Sequence, residues 1–212
     1  MLLNFTNLLF KYKAKPNGVI AVGAHYGEEY DDYVKNGIKR IVFIEPCKNA
    51  FDILMNKFDG NNDVLLLNVA CGDSVQDRVW MNTCTYSVNH GQSNSLLKPA
   101  LHLSLHPEIE FNSCEEVNVT LLDNLGLSNK GYDLLVMDVQ GYEGYVVKGA
   151  INTLKQINWI YAEVNQKEVY EKNTMVEELD SLLHEFIRVE TGQWVGGAWS
   201  DAFYVRKSLL HD

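Results

Sequence analysis

Short apolar runs alternate with amphipathic stretches along most of the chain, the pattern of successive β–α units. Gly18-Val-Ile-Ala-Val22 is a β-branched run that stops at glycine, and Arg40-Ile-Val-Phe-Ile-Glu45 is a second. Val64 to Ala70 is apolar almost throughout, which predicts a strand covered on both faces. Leu134 to Val139 and Trp159 to Val164 are two further strands. Helices are predicted from Glu28 to Asn36, stopping at Gly37; from Cys47 to Lys57, closed by Asp59-Gly60-Asn61-Asn62; and from Glu143 to Leu154. A last helix, Thr174 to His184, precedes Phe186 to Thr191 and Ala202 to Arg206, a terminal hairpin. This order predicts an α/β fold with a doubly wound sheet and helices on both faces.

Between about Ser74 and Glu116 the alternation breaks. The stretch holds Tyr86, His90, His102, His106 and two prolines without clear periodicity. Long irregular segments in compact domains tend to be functional, so an insertion that covers or forms an acceptor site is expected here. The remainder shows no linker or repeat, and the 212 residues are expected to form one domain. No apolar run approaches the ~20 residues of a membrane span. Met1 to Phe10 lacks a basic start and is interrupted by Asn4, Thr6 and Asn7, which predicts a short amphipathic helix and no signal peptide.

Composition narrows the function classes. Eighteen Lys+Arg against twenty-eight Asp+Glu give a net charge of −10, which argues against a nucleic-acid partner. Cys47, Cys71, Cys84 and Cys114 form no CxxC pair and are expected as buried thiols in a cytoplasmic protein.

In an open parallel sheet, ligands bind outside the carboxyl ends of the strands. Those ends carry Gly23-Ala24-His25-Tyr26-Gly27, Glu45-Pro46, Ala70-Cys71-Gly72-Asp73, Asp138-Val139-Gln140-Gly141 and Glu163-Val164-Asn165. A core sheet has no structural need of so many carboxylates. The first turn's two glycines permit close approach of a ligand to the backbone. Glu45 follows about 20 residues later, where a second-strand carboxylate accepts both hydroxyls of a ribose. A pyrophosphate is disfavoured, because the third glycine is missing and Glu28 and Glu29 open the next helix. A cationic adenosyl cofactor without phosphate, S-adenosylmethionine, suits these charges.

The runs Val22-Gly-Ala-His-Tyr-Gly27, Phe43-Ile-Glu-Pro46, Asn68-Val-Ala-Cys-Gly-Asp73, Ser93-Asn-Ser-Leu96, Thr120-Leu-Leu-Asp123, Met137-Asp-Val-Gln-Gly-Tyr-Glu143, Lys148-Gly-Ala150 and Asp201-Ala-Phe-Tyr204 resemble the FkbM family of methyltransferases, in the family's order. The resemblance implies a class I, Rossmann-like methyltransferase sheet, mostly parallel with an antiparallel last strand. It also implies O-methylation of a small hydroxyl, usually on a sugar. With fewer specific features, the chain resembles the methyltransferase domain of chlorovirus glycan-building enzymes, which implies a terminal rhamnose acceptor. Ala21 stands where the family commonly has Asp, and His25 where it commonly has Asn. Together, the residue pattern and the resemblance place the cofactor on Gly23, Ala24, His25, Gly27, Glu28, Glu45, Pro46, Cys71, Gly72, Asp73, Ser93, Ser95, Asp138 and Val139.

Methyl transfer to a hydroxyl is an in-line displacement that positioning and a nearby base accelerate. Asp138 is the first candidate base; Glu163, or one of His90, His102 and His106, is the second. Gln140, Glu143, His90 and Trp199 are expected at the acceptor, although Gln140 and Glu143 could equally cap the following helix. Asp138, Glu163 and Asn165 offer hard oxygens to Mg²⁺ or Mn²⁺, but serve as well without a metal, and the metal-free arrangement is preferred. Two other functions fit the same fold: a nicotinamide-dependent sugar oxidoreductase or epimerase, which lacks its third glycine and its Tyr-x-x-x-Lys pair here, and a catalytically silent glycan-binding module.

Overall fold

The computed structural model describes residues 1–210, apart from the side chains of Tyr86 and Ser87. The chain opens with α1 (Phe5–Lys11), then runs β1 (Gly18–Val22), α2 (Tyr30–Lys35), β2 (Arg40–Ile44), α3 (Lys48–Lys57), β3 (Val64–Leu67), β4 (Ala70–Cys71) and β5 (Gln76–Thr83). Two single-turn helices follow, α4 (Tyr86–Asn89) and α5 (His102–Leu105), and then β6 (Ser113–Thr120) and β7 (Leu134–Met137). The last part comprises α6 (Glu143–Lys148), β8 (Trp159–Asn165), α7 (Val176–Leu182), β9 (Phe186–Thr191) and β10 (Trp199–Arg206).

Seven strands form the main sheet in the order β3-β2-β1-β7-β8-β10-β9. The pairs from β3 to β8 are parallel, and β10 runs antiparallel to both β8 and β9. This is the doubly wound class I methyltransferase sheet with its antiparallel last strand. Strand alternation explains the two layers. Ile20, Val22, Leu135 and Met137 face α6 and α7. Val19, Ala21, Phe43 and Val136 face α1, α2 and α3. The 7-residue α1 is too short to persist alone. Burial of Phe5, Leu8 and Leu9, at about 1.5–3 kcal/mol for each such side chain, fixes it to the sheet, and Asn4 Oδ1 accepts from the Asn7 amide at 2.9 Å.

Four expectations are corrected. Val64 to Ala70 is not one doubly covered strand. Asn68 turns its amide onto the Glu45 and Pro46 carbonyls, at 2.9 and 3.0 Å, which divides the run into β3 and β4. β3 is an edge strand with Leu65 exposed. The stretch from Ser74 to Glu116 is not irregular throughout: β5 pairs antiparallel with β6, and β4 joins them in a second sheet of order β4-β6-β5. Its strands lack a full alternation: only Met81 and Thr83 on β5, and Val117 and Val119 on β6, are buried. Cys114, near the start of β6, is exposed, whereas the other three cysteines are buried. The long predicted helices are also shorter: Glu143 to Leu154 divides into α6 and a 3-10 turn, Thr153–Gln156.

Candidate active site

The turn after β1 is built by steric exclusion. Gly23 has φ +80°, and a Cβ there would lie 1.9 Å from the Asp138 carbonyl oxygen, so β1 and β7 converge at a point only glycine can occupy. The next left-handed residue is His25, with φ +46°. Asn tolerates that conformation better than His does. Here the ring compensates, stacking on Tyr26 at 3.7 Å, with Nδ1 2.6 Å from Glu28 Oε1 and Nε2 2.9 Å from the His90 carbonyl. Both ring nitrogens therefore face acceptors, which requires both to carry protons. Burial opposes the charge, but Glu28 and the His90 carbonyl outweigh it and raise the His25 pKa, while Glu28 is lowered. Glu28 is thus spent on His25 and is not a free charge for the cofactor.

Glu45 is 7% exposed at the end of β2. Its Oε2 accepts from the His25 amide and its Oε1 from the Cys47 amide, each at 2.8 Å. One lone pair per oxygen is satisfied and one remains, a geometry that fits the two hydroxyls of a ribose. Burial pushes the Glu45 pKa up to about 7 in the free protein.

Across the middle of the sheet the strand ends place Gly23, Asp138, Glu163 and Asp201 in one row. Asp138 and Glu163 each follow the paired residues Met137 and Ala162, and Asp201 pairs with Glu163. Asp138 presents its carboxylate to the interior of a cavity, and Glu163 and Asp201 are buried beside it. Gln140 bridges the first two: its Nε2 donates to Asp138 Oδ1 at 2.7 Å and to Glu163 Oε2 at 3.2 Å. Asn165 Nδ2 lies 3.4 Å from Glu163 Oε1. Asp201 accepts from the Tyr161 hydroxyl and the Leu2 amide. Desolvation, with repulsion from the neighbouring carboxylates, raises the pKa of Asp138 and raises that of Glu163 well above the usual carboxylate value.

The loop from α4 to α5 is fastened to this row. Ser95 Oγ donates to the Gln140 carbonyl at 2.8 Å. The Tyr170 hydroxyl lies between the Ser93 carbonyl, at 3.0 Å, and Gln140 Oε1, at 2.9 Å. Gln140 itself sits at φ +53°, a strained conformation that these contacts hold.

A cavity of about 480 Å³ runs from Glu45 past this row to His102 and Trp199. It gathers Gly23, Ala24, His25, Glu28, Glu45, Pro46, Cys71, Ser93, Ser95, Asp138, Val139, Gln140, Glu163 and Trp199 of the expected site. Cys71, Met81 and Leu96 give it an apolar wall beside Glu45, suited to a nucleobase.

Six expected residues do not line it. Gly27 faces Phe58, Leu54 and Phe43, and Gly72 is crowded by Val119 and Tyr142, so both serve packing. Asp73 is exposed and accepts from Ser74 Oγ at 3.2 Å. His90 is exposed and offers its carbonyl to His25. Asn165 is fully buried behind Glu163. Glu143 is 1% exposed, its Oε1 accepting from the Val139 amide at 3.1 Å and the Gly141 amide at 3.3 Å. Among the described residues, no group of three or more His, Cys, Asp and Glu is arranged to hold a metal ion. Tyr161, Tyr170 and Asp201 went unassigned in the sequence. The available signal was an acid inside the apolar run Ala198 to Val205, opposite Glu163.

Glu143 yields a stability prediction. Burial raises its pKa to about 8, above the usual carboxylate value of 4.5, so the folded state holds this proton more tightly than the unfolded chain. That contribution is complete below pH ~4.5 and is lost as pH rises through about 8. Glu143→Gln keeps the Oε1 acceptor and removes the ionisation. Between pH 6 and 9 the wild type is expected to lose on the order of 2–3 kcal/mol more than the variant. Urea unfolding measures this, and parallel pH profiles would refute it.

Residues 21–187 match the model of the methyltransferase FkbM domain. The chain belongs to the FkbM methyltransferase family. A curated relative, the 2-O-methyltransferase NoeI of Sinorhizobium fredii (strain NBRC 101917 / NGR234), is 34% identical over 98 residues, covering 44% of this chain and 40% of NoeI. The match therefore spans less than half of that relative. In fold, this FkbM domain is similar to the magnesium protoporphyrin IX methyltransferase ChlM of Synechocystis PCC 6803 with bound SAM, at 9% identity and TM-score 0.52, covering 95% of this chain and 77% of that one. It is likewise similar to the ribosomal protein L11 methylase of Lactobacillus delbrueckii subsp. bulgaricus, at 12% identity and TM-score 0.52, covering 95% and 76%. The architecture of this FkbM domain is thus that of class I methyltransferases.

Proposed function

We propose that this chain is an S-adenosylmethionine-dependent O-methyltransferase acting on a sugar hydroxyl. The observation that carries the proposal is the cavity-facing Asp138 carboxylate, bridged by Gln140 to the buried Glu163, beyond a ribose-sized acceptor at Glu45. Glu45 would hold the cofactor's diol, and the apolar wall its base. Bound S-adenosylmethionine supplies an electrophilic methyl carbon. Asp138 accepts the hydroxyl proton as the new C–O bond forms and the C–S bond breaks. Burial and the neighbouring Asp138 favour the protonated form of Glu163, which leaves Asp138, facing the cavity, as the proton acceptor of this reading. The named activity of NoeI, 2-O-methylation, supports oxygen as the acceptor atom. The net charge of −10 favours a neutral acceptor over a polyanion.

The test is transfer of radiolabelled methyl from S-adenosylmethionine to a panel of methyl glycosides and nucleotide sugars. Protein that binds S-adenosylhomocysteine yet labels none of them would overturn the reading. Transfer is expected to persist after dialysis against EDTA. Loss on chelation, restored by Mg²⁺ or Mn²⁺, would instead put a metal at Asp138 and Glu163.

A further inference from the structure

Six carboxylates line the cavity: Glu28, Glu29, Glu45, Asp138, Glu163 and Asp201. Five have partners within the protein. Glu28 meets the His25 ring, Glu45 the His25 and Cys47 amides, Asp138 and Glu163 the Gln140 side chain, and Asp201 the Tyr161 hydroxyl and the Leu2 amide. Glu29 is the exception. It is half-buried at the start of α2, and its side chain does not cap that helix. Among the described residues no other group bonds its carboxylate, whose one donor is its own backbone amide. Burial raises its pKa; Glu28 and Asp138 add to the rise, while its own amide and the Met1 α-amino group, which forms no ion pair with it, oppose it. Among the described residues no Lys or Arg lines the cavity, so no side chain of the wall neutralises this acid. A desolvated carboxylate in that state gains from an incoming cation.

Its place in the cavity identifies the cation. Ala21, Val136 and Tyr161 continue the wall on the α1–α2 side of the sheet, together with Tyr33. Tyr33, one helical turn after Glu29, is fully buried with its hydroxyl unpartnered, and Glu29 is the charge that acts on it most strongly. That hydroxyl is closed to a ligand and makes no contact in this account, but it puts the Glu29 carboxylate on the inner side of α2. The strand order sets Glu45 and Asp138 on opposite sides of β1. A cofactor with its ribose at Glu45 and its methyl group toward Asp138 has its sulfur between them, and its amino-acid arm leaves from that sulfur. We propose that the Glu29 carboxylate binds the α-ammonium of the cofactor's methionine end. This inference rests on the S-adenosylmethionine part of the functional reading and adds to it the residue that holds the third portion of the molecule. Charge decides which end of the arm turns to this wall. Glu29 and Asp138 attract the ammonium and repel the α-carboxylate, which points away from them.

The experiment measures by calorimetry how wild type and Glu29→Gln bind three ligands: S-adenosylhomocysteine, its deamino analogue and its decarboxylated analogue. Glu29→Gln is expected to weaken S-adenosylhomocysteine by at least about tenfold, the worth of a hydrogen bond between charged groups. The deamino analogue costs wild type a similar factor and binds the variant no more weakly than it binds wild type, a coupling that a structural role would not produce. The decarboxylated analogue keeps the ammonium, so it binds wild type at least as tightly as S-adenosylhomocysteine and remains sensitive to Glu29→Gln. An S-adenosylhomocysteine Kd within about twofold of wild type in Glu29→Gln overturns the inference. So does an equal loss for all three ligands, or a decarboxylated analogue that ignores the substitution. A variant with an unchanged Kd but a raised KM for amino-sugar acceptors would give the carboxylate to an acceptor amine, and overturns it too. Where Glu29→Gln fails to fold, wild type alone decides: a deamino analogue as tight as S-adenosylhomocysteine refutes the contact. If wild type binds no S-adenosylhomocysteine, the cofactor reading falls and this inference with it. If it binds the cofactor product but methylates no glycoside, the sugar reading falls and this inference stands on the three Kd values.

Discussion

Asp138→Asn lowers methyl transfer by about 10²–10⁴-fold, the usual worth of a positioned general base, while the Kd for S-adenosylhomocysteine stays within about tenfold. The substitution is nearly isosteric. Asn Oδ1 can still accept from Gln140 Nε2, which lies 2.7 Å from Asp138 Oδ1, so the strained turn at Gln140 keeps its anchor. What disappears is a cavity-facing group able to take a proton. Glu163→Gln is the matching control. Glu163 is buried, with its pKa raised well above the usual value by desolvation and by Asp138, and an amide approximates its protonated form. Its effect is expected to be milder, within about tenfold. Single-turnover rates with saturating cofactor separate the two. Equal losses would mean that both carboxyls act through structure, and wild-type turnover in Asp138→Asn would remove it from the chemistry.

The sheet was legible in the sequence because its strands obey local rules. Gly18–Val22, Leu134–Met137 and Trp159–Asn165 are buried on both faces and read as near-continuous apolar runs. The acids that end them could be found for the same reason: each interrupts an apolar run where a ligand crevice is due. The small sheet was not legible. Gln76–Thr83 and Ser113–Thr120 each bury only two side chains, and their pairing is set by contact with one another. Asp201 escaped because its meaning depends on register, which puts it opposite Glu163 only once β10 has inserted between β8 and β9. Glu143 shows the opposite failure. Its place in a first helical turn suggested either a cap or an acceptor contact, and burial sends it beneath the Val139–Gly141 loop as an internal brace.

Glu45 is where cofactor affinity and pH meet. Two hydroxyls bonded to one carboxylate are worth about 1.5–3 kcal/mol apiece, so Glu45→Ala is expected to weaken S-adenosylmethionine by on the order of 10²-fold or more. Glu45→Gln is no gentler, because an amide presents an NH₂ to one of the two backbone amides, from His25 and Cys47, that now donate to the carboxylate. The sign of the pH dependence follows from the free protein. Burial places the Glu45 pKa at about 7, whereas the diol needs the ionised form, so proton and cofactor compete. Affinity is therefore flat above pH ~7 and falls as pH drops below it, approaching tenfold per unit. A 2′,3′-dideoxy analogue of S-adenosylhomocysteine binds more weakly and loses the slope, since it offers nothing for the carboxylate to accept. Calorimetry between pH 5.5 and 8.5 measures both ligands against wild type and Glu45→Ala. An unchanged slope in Glu45→Ala would place the titrating group elsewhere, and an unchanged Kd would remove the diol from β2 altogether.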